Sequence, residues 1–262
     1  MKLLFLFLLL FHCCISQAQM PSDSLNDNQS EAAADDPSQF FTRVEVFNEL
    51  QCYHDNIYMN FTTLRTIIRF AKRFTTRLDV PLVYNSSVSP AGYRQCGLGD
   101  ISFRLLGYKF FQSRKSAITA SIECSLNTAQ SPLLGSGKYI LIPMVSYTTT
   151  LNEKRVILAF AFQQANSFAG DKSRETVSFS KLQTILINIW SGKVWTVLAP
   201  EWYLDYIHGG LSMNLEGKVA CLPAKRINLW AQTGVGVFGD FIARYQWSVE
   251  VGCRYFFQSN PN

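Results

Sequence analysis

The stretch that most constrains this chain is its last, Ala243 to Phe257, ARYQWSVEVGCRYFF. Taken two residues at a time, it places Tyr245, Trp247, Val249, Val251, Cys253, Tyr255 and Phe257 on one face, and Arg244, Gln246, Ser248, Glu250, Gly252, Arg254 and Phe256 on the other. Period-two alternation is the pleat of a β-strand, and this run is about twice the usual strand length of a soluble protein. Every charge falls on one face. A soluble sheet could bury the greasy face against a second sheet, so a secreted β-sandwich is the competing class. An apolar face with aromatics at both ends, closing on Tyr-x-Phe, suits instead a bilayer-spanning strand with interfacial girdles. The predicted fold is all-β: a transmembrane antiparallel up-and-down β-barrel.

The rest of the chain carries the same signal. No window reaches 18 consecutive apolar residues, so transmembrane helices are ruled out on length. Alternating segments run over 43–51, 64–71, 77–84, 101–108, 118–126, 139–151, 156–163, 177–190, 194–206, 211–222 and 227–237, which with the final strand makes about twelve. An even count closes with both termini at one end. Leu106 and Tyr108 fall on the polar face with Arg104, Pro143 weakens its segment, and a parity change within 177–190 predicts a bulge. The longer connections, near Asn56 and over 85–99, 128–138, 166–174 and 207–210, are not expected to lie all at one end.

Residues 1–18 read as a secretory signal peptide: Lys2, an apolar core from Leu3 to Phe11, then Ser16 and Ala18 as a cleavage site that leaves Gln19 first. Lipidation at Cys13 or Cys14 is the weaker reading, because His12 or Cys13 stands where a small residue is needed. Residues 19–39, rich in Ser, Asn, Asp and Pro, bury too little to order and read as a flexible N-terminal arm, with a plug inside the barrel as the alternative. Residues 40–262 make the barrel. Secretion and a barrel together predict the outer membrane of a Gram-negative cell.

Function is expected in the lumen. Arg65, Arg69, Arg77, Asp79, Arg104, Glu123, Glu201, Asp205, Arg244, Glu250 and Arg254 all take the polar face. Two readings stand: a mutually neutralising network that fills a narrow barrel, or a polar pathway lined by the same groups. No catalytic residue, cofactor or metal is assigned. An acyl-hydrolase would need a serine within reach of a histidine oriented by an acid; Asp205, His208 and Ser212 are near in sequence, but there is no Gly-x-Ser-x-Gly elbow. Cys52, Cys96, Cys124, Cys221 and Cys253 lack Cys-x-x-Cys spacing, and Cys52 with Cys96 is the candidate disulfide. The net charge of +5 comes from scattered residues, without the basic run that tracks a phosphate backbone, so nucleic acid is not expected as a partner.

GLGDISFRLLGYKF at 97–110 and SIECSLNTAQSPLLGSGKYILIPMVSY at 121–147 carry a Gly-x-Gly-Asp strand start and a Gly-Ser-Gly before the next strand. Over most of Arg65 to Phe257 the chain resembles the "MetA-pathway of phenol degradation" outer-membrane barrels. It departs from them at Leu126 to Ala129, where a Leu-Pro-Thr-Gly-like segment is expected. The resemblance implies a porin-like channel or transporter, in some members linked to hydrophobic or aromatic compounds. The expected partners are outer-membrane lipid, the barrel-assembly machinery through the C-terminal strand, and a small hydrophobic solute. The alternative functions are an acyl-hydrolase barrel and a filled, envelope-anchoring barrel.

Overall fold

The computed structural model describes residues 35–88, 92–151, 155–239 and 245–257. The segment read as a signal peptide, the segment read as an arm up to residue 34, and Arg244 lie outside the described residues. The strands are β1 (Arg43–Cys52), β2 (Ile57–Ala71), β3 (Phe74–Ser87), β4 (Arg94–Leu98), β5 (Ser102–Gln112), β6 (Ser116–Ser125), β7 (Lys138–Leu151), β8 (Val156–Gly170), β9 (Ser178–Ser191), β10 (Val194–Asp205), β11 (Leu211–Ala224), β12 (Ile227–Phe238) and β13 (Trp247–Phe256). Around the cylinder neighbouring strands pair antiparallel, and β1 pairs with both β2 and β13, so the sheet closes on itself. The upper part of β3 pairs with β4 and its lower part with β5, so those two share one place and the cylinder has 12 strands around it.

All the longer connections lie at one end. Tight turns at 72–73, 113–115, 192–193 and 225–226 lie at the other, with the chain's first and last strands beginning and ending there. This corrects the expected division of loops: counted along an even, antiparallel barrel, every second connection returns to the same end. Short periplasmic turns and longer external loops are the ordinary plan of outer-membrane barrels. At the loop end Gly209 and Gly210, at φ +74° and +104°, form a turn that L side chains rarely adopt.

The outward face is mainly apolar all round, with Leu64, Leu82, Ile122, Val145, Phe162, Leu182, Leu198 and Val249 exposed. Aromatic residues bracket this belt. Tyr58 against Trp247, Tyr139 against Phe168 and Trp202 against Phe238 ring the loop end. Phe70, Phe74, Tyr108 and Phe110 in a stack, and Tyr255 against Phe257, ring the turn end. A surface of this kind is stable only against lipid.

The facing predicted for the last strand holds from Trp247 to Phe257. Tyr245 instead turns inward, and its hydroxyl donates to Glu216 at 2.8 Å, because it precedes the strand and escapes the pleat. In β5 the pairing with β6 slips between Arg104 and Leu106, so Leu105 and Leu106 both face out and Tyr108 joins the outer stack. β9, by contrast, pairs with β8 without a slip, and its register shift to β10 falls at the turn. Pro143 is held inside a continuous β7, opposite Ile122, where the ladder to β8 skips it. Cys52 and Cys96 are both free thiols.

Inside, the barrel is not uniformly polar. Ile157, Ile187, Ile189, Trp195, Val197, Ala220, Leu222, Trp230 and Phe256 pack together on the inward face, with Phe41 and Phe47 against them. Burying each large side chain contributes about 1.5–3 kcal/mol, so this cluster is a core in its own right. Gly252 leaves room for it: a methyl group there would strike the Trp230 ring.

Candidate functional site

Three groups of side chains line the lumen. The first is a ladder on β2, β3, β5 and β6. Arg65 sits across from Asp79 in the register and holds it with two bonds, Nε at 2.9 Å and Nη2 at 2.8 Å. Arg77 stands directly opposite Arg104, an unfavourable like-charge placement. Glu123, across from Arg104 on β6, offsets it: Oε2 takes Arg77 Nη2 at 2.5 Å and Arg104 Nη2 at 3.6 Å. Arg104 Nε is buried with no hydrogen-bond partner among the described residues.

The second group closes the seam between β1 and β13. Glu45, 2% exposed, accepts from Arg43 Nε at 2.6 Å and Arg254 Nε at 2.7 Å. Its other oxygen lies 3.7 Å from Arg65 Nη1, which links the seam to the ladder. Asp35 enters this group from the arm: Trp195 Nε1 donates to Oδ2 at 2.7 Å, and Lys218 Nζ and Arg254 Nη2 lie 3.3 Å from Oδ1. Asp36 beside it accepts from the Thr148 hydroxyl at 3.0 Å. Residues 35–39, the described end of the segment read as an arm, are therefore seated inside the barrel.

The third group is acidic. Lys181 Nζ and the Tyr203 hydroxyl hold Glu201 at 2.5 and 2.6 Å; Gln232 and Tyr245 hold Glu216 at 2.9 and 2.8 Å. Trp230 Nε1 donates to Glu250 at 2.5 Å, and Gln51 to Glu49 at 2.8 Å. Between the three groups lies a cavity of about 600 Å³. That is the range of a small-molecule site.

Of the predicted lumen residues, Arg65, Arg77, Arg104, Glu201, Glu250 and Arg254 line this cavity, and Asp79 and Glu123 stand behind the arginines. Arg69 is at the turn end, with Nε 3.3 Å from the carbonyl of Ala71. Asp205 closes β10 at the mouth, where Oδ1 accepts from the Ile207 amide at 2.8 Å. Lys181, Glu216, Lys218 and Asp35 line the cavity as well; Glu216 and Lys218 alternate against Leu215 and Val219, so their facing is visible in the sequence, whereas Asp35 lies in no alternating segment.

His208 bonds to two carboxylates, Nδ1 to Asp205 and Nε2 to Glu175, each at 2.7 Å. Those two acids raise its pKa above the ordinary histidine value. With both ring nitrogens engaged, the arrangement is a loop clasp between 171–177 and 206–210, not a base aimed at Ser212. Among the described residues no cluster could hold a metal ion.

A closed barrel, a mainly apolar belt between aromatic girdles and a charged interior together define an outer-membrane β-barrel of porin-like architecture. No family model and no curated protein matches the chain. Solved structures do. A COG4313 outer-membrane channel from Pseudomonas putida F1 superposes with a TM-score of 0.69, at 12% identity over 83% of this chain and 96% of that one. The KdgM porin, in complex with disordered oligogalacturonate, gives 0.58 at 12% identity over 82% and 99%. The NanC porin gives 0.57 at 8% identity over 81% and 98%. At such identities the likeness is one of fold.

Proposed function

We propose that the protein is a porin-like channel for small solutes across the outer membrane. The observation that carries this reading is the cavity of about 600 Å³ within the closed barrel, walled by charged side chains of both signs. A barrel built only as a scaffold gains nothing from leaving such groups beside open space, since charges removed from lipid are costly unless paired or hydrated. The finer reading, a hydrophobic or aromatic solute, draws on the resemblance to the phenol-degradation barrels at 97–110 and 121–147. Outer-membrane lipid around the belt and assembly through β13 complete the proposal.

Reconstitution into planar bilayers tests it. The wild type should conduct, and an Arg65→Ala, Arg77→Ala, Arg104→Ala variant should shift selectivity toward cations, because Asp79 and Glu123 lose their partners. No conductance and no passage of a small aromatic solute would reject the channel. A filled, envelope-anchoring barrel is the second reading, favoured by the apolar cluster and the seated residues 35–39. It predicts silence even after residues 20–39 are deleted.

A further inference from the structure

Asp35 belongs to no strand, yet its carboxylate is met by donors from three of them. Trp195 on β10 is fully buried, Arg254 on β13 is 4% exposed, and Lys218 on β11 completes the set. Buried donors converging from rigid strands are a built carboxylate site, whichever carboxylate occupies it. A second observation points the same way: Arg254 Nη1 is buried and has no hydrogen-bond partner among the described residues. The site offers more donor capacity than Asp35 and Glu45 use. Beside the donors the wall is apolar. Trp230 lies under both cations, at 5.0 Å from Arg254 and 5.5 Å from Lys218, and belongs with Trp195 to the packed cluster. The site thus pairs a cationic end with an aromatic wall.

We propose that this is a binding site for the carboxylate of a small organic acid with an apolar body, and that Asp35 occupies it as a tethered stand-in. The inference rests on the channel reading and names the solute class. A tethered carboxylate competes at an effective concentration on the order of millimolar, so a free acid must displace it to bind. Displacement would free 35–39 and open the lumen, while the base of the arm stays anchored by Phe41 on Phe256 and by the Phe257 amide on the carbonyl of Thr42.

Calorimetric titration of the folded protein in detergent tests the site, with benzoate as probe and benzyl alcohol as its uncharged counterpart. Asp35→Asn should bind benzoate about tenfold more tightly than the wild type, and adding Lys218→Met to that variant should lose about the same factor. Benzyl alcohol should bind all three alike. Equal benzoate affinity in the wild type and Asp35→Asn, or benzyl alcohol matching benzoate, overturns the proposal. Heat-modifiable migration confirms that each variant is folded. Bilayer conductance separates the two readings: the binding pattern without conductance keeps the site and rejects the channel, whereas conductance without the pattern keeps the channel and rejects the site.

Discussion

The two walls of this lumen are built by the same pleat and stabilised by opposite means. On β2, β3, β5 and β6 the inward residues include Arg65, Arg77, Asp79, Arg104 and Glu123, held by ion pairs within and between strands. Toward the turn end of β8 to β12 they are Ile157, Ile187, Trp195, Leu222 and Trp230, packed as a core, with Lys181, Glu201 and Glu216 nearer the loop end. The charged wall can change its chemistry without losing its shape, because several partners share each charge. The apolar wall cannot, since every side chain in it is wedged against others. One wall suits selectivity and the other suits rigidity.

Truncating the apolar wall should therefore have the largest effect. Trp195→Ala empties the centre of the cluster and is expected to cost about 3–5 kcal/mol, read as a lower unfolding midpoint in detergent. Next comes the outer face. Val251→Arg puts a charge against lipid and should cost about 2–4 kcal/mol in insertion, whereas Gln232→Arg, inward and bonded to Glu216, should be tolerated. A larger loss for Gln232→Arg than for Val251→Arg would show that inside and outside are exchanged, and equal losses would end the assignment of the two faces. Ser248 is a poorer inward control, being 1% exposed.

The charged wall should respond least in stability. Arg104→Gln removes a 3.6 Å pair and a buried unpartnered Nε, so the midpoint should move by less than about 1 kcal/mol while ion selectivity shifts. A loss as large as that of Trp195→Ala would end the contrast between the walls. The smallest effect belongs to the loop clasp. Because Asp205 and Glu175 raise the His208 pKa, the clasp is fully formed below the unfolded value and is lost as pH rises through the folded one. An NMR titration should place that midpoint above about 6.5, the value of a free histidine, and Glu175→Gln should lower it.

The same contrast explains what could be read from sequence. In β6, Ile118, Ile122 and Cys124 alternate with Thr119, Ser121 and Glu123, so polarity reports facing directly. In β9 both faces carry apolar residues, Leu182 and Leu186 outward and Ile185, Ile187 and Ile189 inward, while Thr184 and Asn188 face lipid. Hydropathy there contains no contrast for the pleat to display, and an unbroken strand imitates a bulge. The closed barrel was legible because most strands resemble β6. The site was legible only in part: charges on clear strands could be assigned, but nothing local in Asp35 says that it will meet Trp195, 160 positions later.

The seam between β1 and β13 has a kinetic meaning. Its Glu45 to Arg254 pair joins residues 209 positions apart. Most other ladders join neighbours along the chain, and they can zip as hairpins at little cost in loop entropy. The seam alone must wait for the whole chain, so it is the last ladder to close and the one whose delay leaves two strand edges bare. A charge-assisted pair buried at that joint acts as a latch on a finished cylinder: it rewards only the closed topology, in the correct register, after every other strand is in place.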